Sequence, residues 1–280
     1  MTATTKTFAA LTQQQIYTLI VEPVQAQSVA LQVCTRVPIS KPSLRLPKIV
    51  DTGTAAWVEE GAAIPISDAA ADEDEVTPKK VAGLRTITSE LADDSDPAAV
   101  QQVGATIVTA IALEVDRAFF GPTQPSPAPA GLRSIGADAN ALVLPKTLVN
   151  VDPLLAAIAH GRDVGAPVTS FVTSPALALE LATLKDASGS QRGLLQPDPT
   201  QPDRNVVGGV PILTSPFVEA GDVWAIPASR TFGVVRKDAK VEASTEFLWA
   251  NDSVSVRGIM RVAFGMVSPS SISRIRRATS

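Results

Sequence analysis

Histidine and cysteine each occur once in the 280 residues, as His160 and Cys34. A single cysteine forms no intrachain disulfide, and one residue of each kind leaves no Cys/His zinc cluster and no multi-histidine iron or copper centre. A hydrolase of the Ser/His/Asp or Cys/His type would have only His160 as its base. That residue lies in AAIAHGRDVG, near an expected helix end, where histidine commonly meets the last carbonyls. Cys34, between Val33 and Thr35 in a strand-like run, reads as a small buried side chain. Nucleotide motifs are missing: no Gly-rich loop ends in Lys-Ser/Thr, and no G-x-G-x-x-G follows a strand. The acidic run Asp72 to Glu75 lacks the alternating ligands and turn glycine of a calcium loop and reads as a solvated tip. Glu59 and Glu60, taken as an acid–base pair, would point to opposite faces of a strand. No catalytic residue, cofactor or metal is expected. Long apolar runs are absent as well. Thr106 to Leu113 ends at Glu114, far short of a bilayer span, and Phe8 to Leu11 is too short for a signal-peptide core. The net charge of -4 gives no whole-chain attraction to nucleic acid or an acidic membrane. The sequence predicts a soluble chain made in a cytosol.

What is present is globular in composition: 45% of residues are hydrophobic and 19% charged, and the length favours two lobes. Thr12 to Val24 reads as a short helix ended by Pro23, and Ser28 to Val37 reads as extended. A segment with so little core of its own has to lie on something else. Residues 43 to 90 read as a long hairpin. Ser43 to Ile49 alternates, Ala55 to Val58 extends, Val76 to Thr88 returns, and the acidic stretch Ser67 to Glu75 makes a wide tip. It holds too few large apolar residues to be stable alone. A long amphipathic helix follows, with Asp96 as N-cap, Pro97 in the first turn and apolar residues from Val100 to Phe119 at spacings of three and four. It spans roughly 34 Å, and Gly121-Pro122 stops it. From about 122 to 240 the pattern is α/β, with helices opening at Asp152-Pro153 and Ser174-Pro175, and strands at 171–173, 210–213, 223–226 and 232–235. Gly208-Gly209 reads as a turn, and Val254 to Val267 alternates across one long element.

Charge is distributed unevenly. Residues 51 to 116 hold fourteen acidic side chains against Lys79, Lys80 and Arg85. Residues 253 to 280 hold Arg257, Arg261, Arg274, Arg276 and Arg277 and no acid, and the first 50 residues hold five cations against Glu22. Blocks of opposite sign either close within one chain or steer one subunit onto its neighbour.

The segments AAWVEEGAAIPISD (Ala55 to Asp68), VTPKKVAGLRTITSEL (Val76 to Leu91) and DRAFFGP (Asp116 to Pro122) resemble the major capsid proteins of tailed bacteriophages, which have the Hong Kong 97-type fold. FVTSPALALELATLKDASG, VVGGVPILTS and the closing NDSVSVRGIMRVAFGMVSPSSI follow in the family's order, so the resemblance covers nearly the whole chain. It implies an α+β fold: an N-terminal arm over 1–42, a long hairpin or E-loop over 43–90, a peripheral domain over 91–121 and 241–280 with a spine helix, and an axial α/β domain over 122–240. It further implies a non-enzymatic subunit that self-assembles into the hexamers and pentamers of an icosahedral shell around double-stranded DNA, bound without sequence specificity. Portal, scaffolding and decoration proteins are candidate further partners, a membrane is not, and the place is the virion, assembled in the bacterial cytoplasm. The candidate interface residues are Trp57, Glu59, Glu60, Asp74, Arg257 and Arg261, with the acidic hairpin and helix region of one copy expected against the arginines of another. The sequence starts directly with the arm, so scaffolding is expected to be a separate protein, already cleaved away, or unnecessary. Lys79, Lys80 and Asn251 are residue types that cross-link in some family members, but no motif aligns them and no such role is carried over. The similar encapsulin-type bacterial nanocompartment is the alternative, and an enzyme built on carboxylates and His160 is the rival of another class.

Overall fold

The computed structural model describes residues 24, 26–49, 57–58, 71–90, 98–122, 126–135, 139–146, 148–187, 190–197, 205–248 and 252–278. A short helix α1 (Val29–Val33) leads into β1 (Thr35–Pro38), followed by β2 (Leu44–Ile49), β3 (Ala71–Val76) and β4 (Lys79–Thr88). The long helix α2 (Ala98–Phe120) comes next, then β5 (Asn140–Leu144), α3 (Asp152–Asp163), β6 (Ser170–Thr173) and α4 (Pro175–Thr183). Strands β7 (Gln196–Pro197), β8 (Asn205–Val207), β9 (Val210–Thr214) and β10 (Asp222–Ile226) follow. The chain closes with the long strands β11 (Thr231–Leu248) and β12 (Ser253–Met266) and the short β13 (Ser273–Arg277). The fold is α+β, as the sequence predicts.

One sheet has the order β1-β11-β12-β4, with β1 parallel to β11 and the other pairs antiparallel. Helix α2 lies on one face of it and buries Ile107, Val108, Ile111, Val115 and Phe119, the stripe that its spacing of three and four dictates. Gly83 and Gly258 stand opposite each other in register beneath this helix. A Cβ on Gly258 would sit 2.5 Å from the Ile107 side chain, so the missing side chain is what lets helix and sheet approach. The register of β11 on β12 slips between Val235 and Lys240 and again after Ser244. Such bulges bend and twist a long strand locally.

The second sheet has the order β5-β13-β10-β6-β9-β8-β7. In its centre, alternate side chains enter two different cores. Val172, Trp224 and Ile226 point into the core shared with α2, while Phe171, Val223 and Ala225 point into a core closed by α3 and α4. A sheet covered on both faces reads as a continuous apolar run, which is why DVWAI is buried throughout. Ser174 caps α4 by accepting from the Leu177 N–H, with Pro175 in its first turn. Gly208 and Gly209, at φ 57° and 82°, make the two-residue turn between β8 and β9 that the sequence predicts.

Several expectations change. Ser28 to Val37 is not one extended run: Ser28 caps the helix α1, and only Thr35–Pro38 is strand. The segment 43–90 is not a simple hairpin either. β2 pairs with β3, whereas β4 leaves and pairs with β12. The acidic residues 72–75 therefore form the returning strand rather than a loop tip, with Glu75 opposite Arg45 and Asp72 opposite Lys48. Opposite charges across a two-stranded ribbon favour this pairing where an all-acidic stretch alone would not. The boundary expected at 240 falls inside β11, and β13 belongs to the seven-stranded sheet rather than to the sheet of β12. The expected helix over 12–24, the N-cap at Asp96 and Pro97 lie outside the described residues, save Val24.

Candidate assembly surfaces

The best-defined polar site is internal. Asp116 on α2 is buried, and its carboxylate accepts from Ser28 Oγ at 2.7 Å, from the Ala30 N–H at 2.9 Å and from the Val29 N–H at 3.1 Å. The first N–H groups of α1 lack helical partners, and the carboxylate supplies them. Burial pushes the Asp116 carboxyl above its usual range, and the hydrogen bonds from Ala30, Ser28 and Val29 oppose that push. The arrangement ties the start of the chain to the long helix.

Groups with chemical potential are spent on structure. Cys34 is buried, and burial followed by the nearby Asp116 charge pushes its thiol far above the usual range, away from the reactive thiolate. The Nε2 of His160 lies 2.9 Å from the Ser270 carbonyl oxygen, so its ring reaches across to the turn before β13 rather than to the end of its own helix. Among the described residues no three His, Cys, Asp or Glu side chains gather as a metal site. Nor is any described helix long and apolar enough to cross a membrane.

The C-terminal arginines close within the chain. Arg274, only 12% exposed, bonds the buried Asp222 and Glu219, and its guanidinium lies 5.2 Å over Trp224. Arg276 and Arg133 reach Glu219 at 3.0 and 2.7 Å, and Arg277 pairs with Glu180 on α4. Burial alone would raise the Glu219 carboxyl, but the Arg133 hydrogen bond and the charges of Arg276, Arg133 and Arg274 outweigh it and hold the group below its usual range.

The predicted interface residues lie apart. Trp57 is fully exposed at 105%, and Val58 beside it is exposed. Glu59 and Glu60 lie outside the described residues. Asp74 is exposed on β3, opposite Leu46. Arg257 bonds Glu242 at 2.7 Å across β11 and β12, and the Lys240 and Arg257 hydrogen bonds hold the Glu242 carboxyl down at about 2. Arg261 stands between Lys80 on β4 and Lys237 on β11 in the register of the sheet. Directly opposed residues share a face, so these three cations sit side by side on the face turned away from α2.

Sequence reasoning missed a cleft of about 240 Å³ where the free edge strand β4 meets the C-terminal turns of α2 and the loop 126–129. Val81, Val115, Ala118 and Pro127 give it apolar walls, and Lys79, Lys80 and Glu114, the last paired with Arg117, line it as well. Neither lysine has an acidic partner among the described residues. The sequence signal was the Lys79-Lys80 pair at the start of a strand. Asp116 was also missed, and its signal was a lone acid on the apolar stripe of the helix.

The sequence model of the phage capsid family matches residues 9–276. No curated protein matches the chain. Among solved structures, a chain from Mycobacterium phage Bobi is similar at 18% identity and a TM-score of 0.69, with 90% of this chain and 91% of that chain covered. One from Gordonia phage Cozz is similar at 17% identity and a TM-score of 0.70, over 91% and 87%. A structure described as the capsid of a native GTA particle computed with C5 symmetry is similar at 17% identity and a TM-score of 0.68, over 89% of each chain. With the sequence match running almost end to end and a similar fold in the phage chains beside it, the chain belongs to the phage capsid family.

Proposed function

We propose that this capsid shell protein is a major capsid protein that assembles into the hexamers and pentamers of an icosahedral shell enclosing double-stranded DNA. The observation that carries the reading is the family match over residues 9–276, joined to a fold similar to phage and GTA capsid chains. The reading assigns the N-terminal arm to 1–42 and the E-loop to 43–90. The four-stranded sheet with α2 is the peripheral domain and the seven-stranded sheet is the axial domain, with β13 returning to the latter. The work is geometric: one heterologous contact repeated under symmetry closes a shell. It needs no catalytic residue, cofactor or metal, and its DNA contact is not sequence-specific. Portal, scaffolding and decoration proteins are the further partners in this reading, and assembly takes place in the host cytoplasm.

Electrostatics supports self-association. The acid-rich residues 51 to 96 and the cationic row Lys80, Arg261 and Lys237, which has no acidic partner among the described residues, are complementary, so a neighbour's acidic E-loop would neutralise the part of that sheet face beyond the β2–β3 ribbon. Trp57, Glu59, Glu60 and Asp74 stand on the donating side of that contact, and Arg257 and Arg261 on the receiving side. Arg261→Glu is expected to slow assembly and flatten its salt dependence; assembly untouched in both respects removes Arg261 from the interface.

Light scattering followed by negative-stain microscopy tests the whole reading. Sixty copies of a 29.2 kDa subunit give a smallest closed shell of about 1.8 MDa. Megadalton shells with DNA inside are the expected result. Shells filled with protein cargo and no DNA replace it by the nanocompartment, and a chain that stays monomeric or dimeric under crowding and altered salt overturns it.

A further inference from the structure

We propose that Asp116 is a positioning residue for assembly: its buried carboxylate fixes where residues 1–23 leave the long helix α2, and through them the yield of shells. The proposal rests on the shell reading and assigns a role within it. Three consecutive residues supply the donors. Ser28 Oγ and the Ala30 N–H donate to Oδ1 at 2.7 and 2.9 Å, and the Val29 N–H donates to Oδ2 at 3.1 Å. Two oxygens of one planar group, held from three residues, fix the rotation of α1 as well as its place. The hold passes up the chain, because the Ser28 N–H donates to the Val24 carbonyl at 2.9 Å and Val24 is buried in the core that α2 shares. The chain before Val24 therefore starts from a point set by Asp116.

Stability alone does not account for a carboxylate here. Helix α1 has five residues, too few to hold together without tertiary support, and Ser28 already caps it by accepting from the Leu31 N–H. At an open helix start, water would satisfy the Val29 and Ala30 N–H groups. Asp116 instead sits among the buried apolar residues Val115, Ala118 and Phe119 of α2, and no cationic side chain pairs with it among the described residues. A buried charge without a counter-ion costs stability, so what it contributes is the choice of one docking over others. The chain after α1 is held independently, since β1 lies parallel on β11 and Arg36 bonds Asp238 at 2.7 Å. The Asp116 contact is thus what turns a tethered arm into an aimed one.

Shell yield and a distance, both measured on the full chain, test the role. Spin labels on Gln27→Cys and Leu113→Cys, both exposed sites, in a Cys34→Ala background should give one narrow distance. Adding Asp116→Asn, which sets an amide N–H against one of the donors, should broaden that distance, and Asp116→Asn alone should lower shell yield about tenfold or more. Gly258→Ala is the control for stability, since its methyl would press on Ile107 rather than on α1. Compared equally far below each variant's melting temperature, the control should keep most of the wild-type yield. Ser28→Ala, which removes one donor and leaves the carboxylate, should fall between the two, and it decides by the same readouts if Asp116→Asn does not fold. A yield no lower than that of the control, or an unbroadened distance, overturns the positioning role while leaving the shell reading intact. A wild-type chain that forms no shells overturns both.

Discussion

At the scale of single residues, Asp116 carries the largest stake. Asp116→Ala would strand the Ser28 hydroxyl and the Val29 and Ala30 N–H groups, and unsatisfied buried donors cost about 1–3 kcal/mol each. Thermal unfolding of this variant is expected to show a loss of about 3 kcal/mol or more, whereas Ser28→Ala, which removes one cap, should lose about 1 kcal/mol. A loss below that for Asp116→Ala would mean that α1 finds other partners. Glu219 offers a pH readout. Its folded pKa is lowered, so its contribution is present above the ordinary value of 4.5 and is lost as pH falls through the folded value. The gap in melting temperature between wild type and Glu219→Gln should therefore be widest near neutral pH and close in acid. Asp116 runs the other way: its raised pKa means that its titration favours the fold at low pH, and that benefit is lost as pH rises through the folded value.

At the scale of elements, the decisive contact is the long helix α2 on its sheet. Gly258 and Gly83 make room for Ile107, and Gly258→Ala would push a methyl to within 2.5 Å of that side chain. Overpacking of this kind is expected to cost about 2 kcal/mol, read by denaturant midpoint, and Ile107→Val in the same chain should recover part of the loss. The helix itself was legible, since Ile107, Ile111, Val115 and Phe119 mark its buried stripe by spacing alone. The strand pairing was not. β3 is a run of acids that composition reads as a solvated loop, and it becomes a strand because Arg45 and Lys48 of β2 stand across from it. The partner of β4 was equally invisible locally, because β12 lies well over a hundred residues further along the chain.

At the scale of the whole molecule, the net charge of -4 hides a division of labour. The C-terminal arginines Arg274, Arg276 and Arg277 are consumed inside the fold by Asp222, Glu219 and Glu180. Lys80, Arg261 and Lys237 have no acidic partner among the described residues, and residues 51 to 96 hold twelve of the 28 acidic side chains. Assembly driven by these blocks should slow as ionic strength rises, because exposed charges are screened within about 8 Å at physiological salt. Light scattering across a salt series would record it, and a rate that rises with salt would assign the drive to apolar contacts such as Trp57 instead.

By itself the sequence determined the elements whose signal is local: the period of α2, the Ser174-Pro175 cap, the Gly208-Gly209 turn, the alternation of β12 and the family signature that runs from end to end. Only the tertiary structure decided which charges stay free, which strand joins which sheet, and that Asp116 serves α1 from 88 residues away. The reason is physical. Periodicity and capping act over a few neighbouring residues, whereas a salt bridge, a strand pair or a cleft depends on which distant residues the closed core brings together.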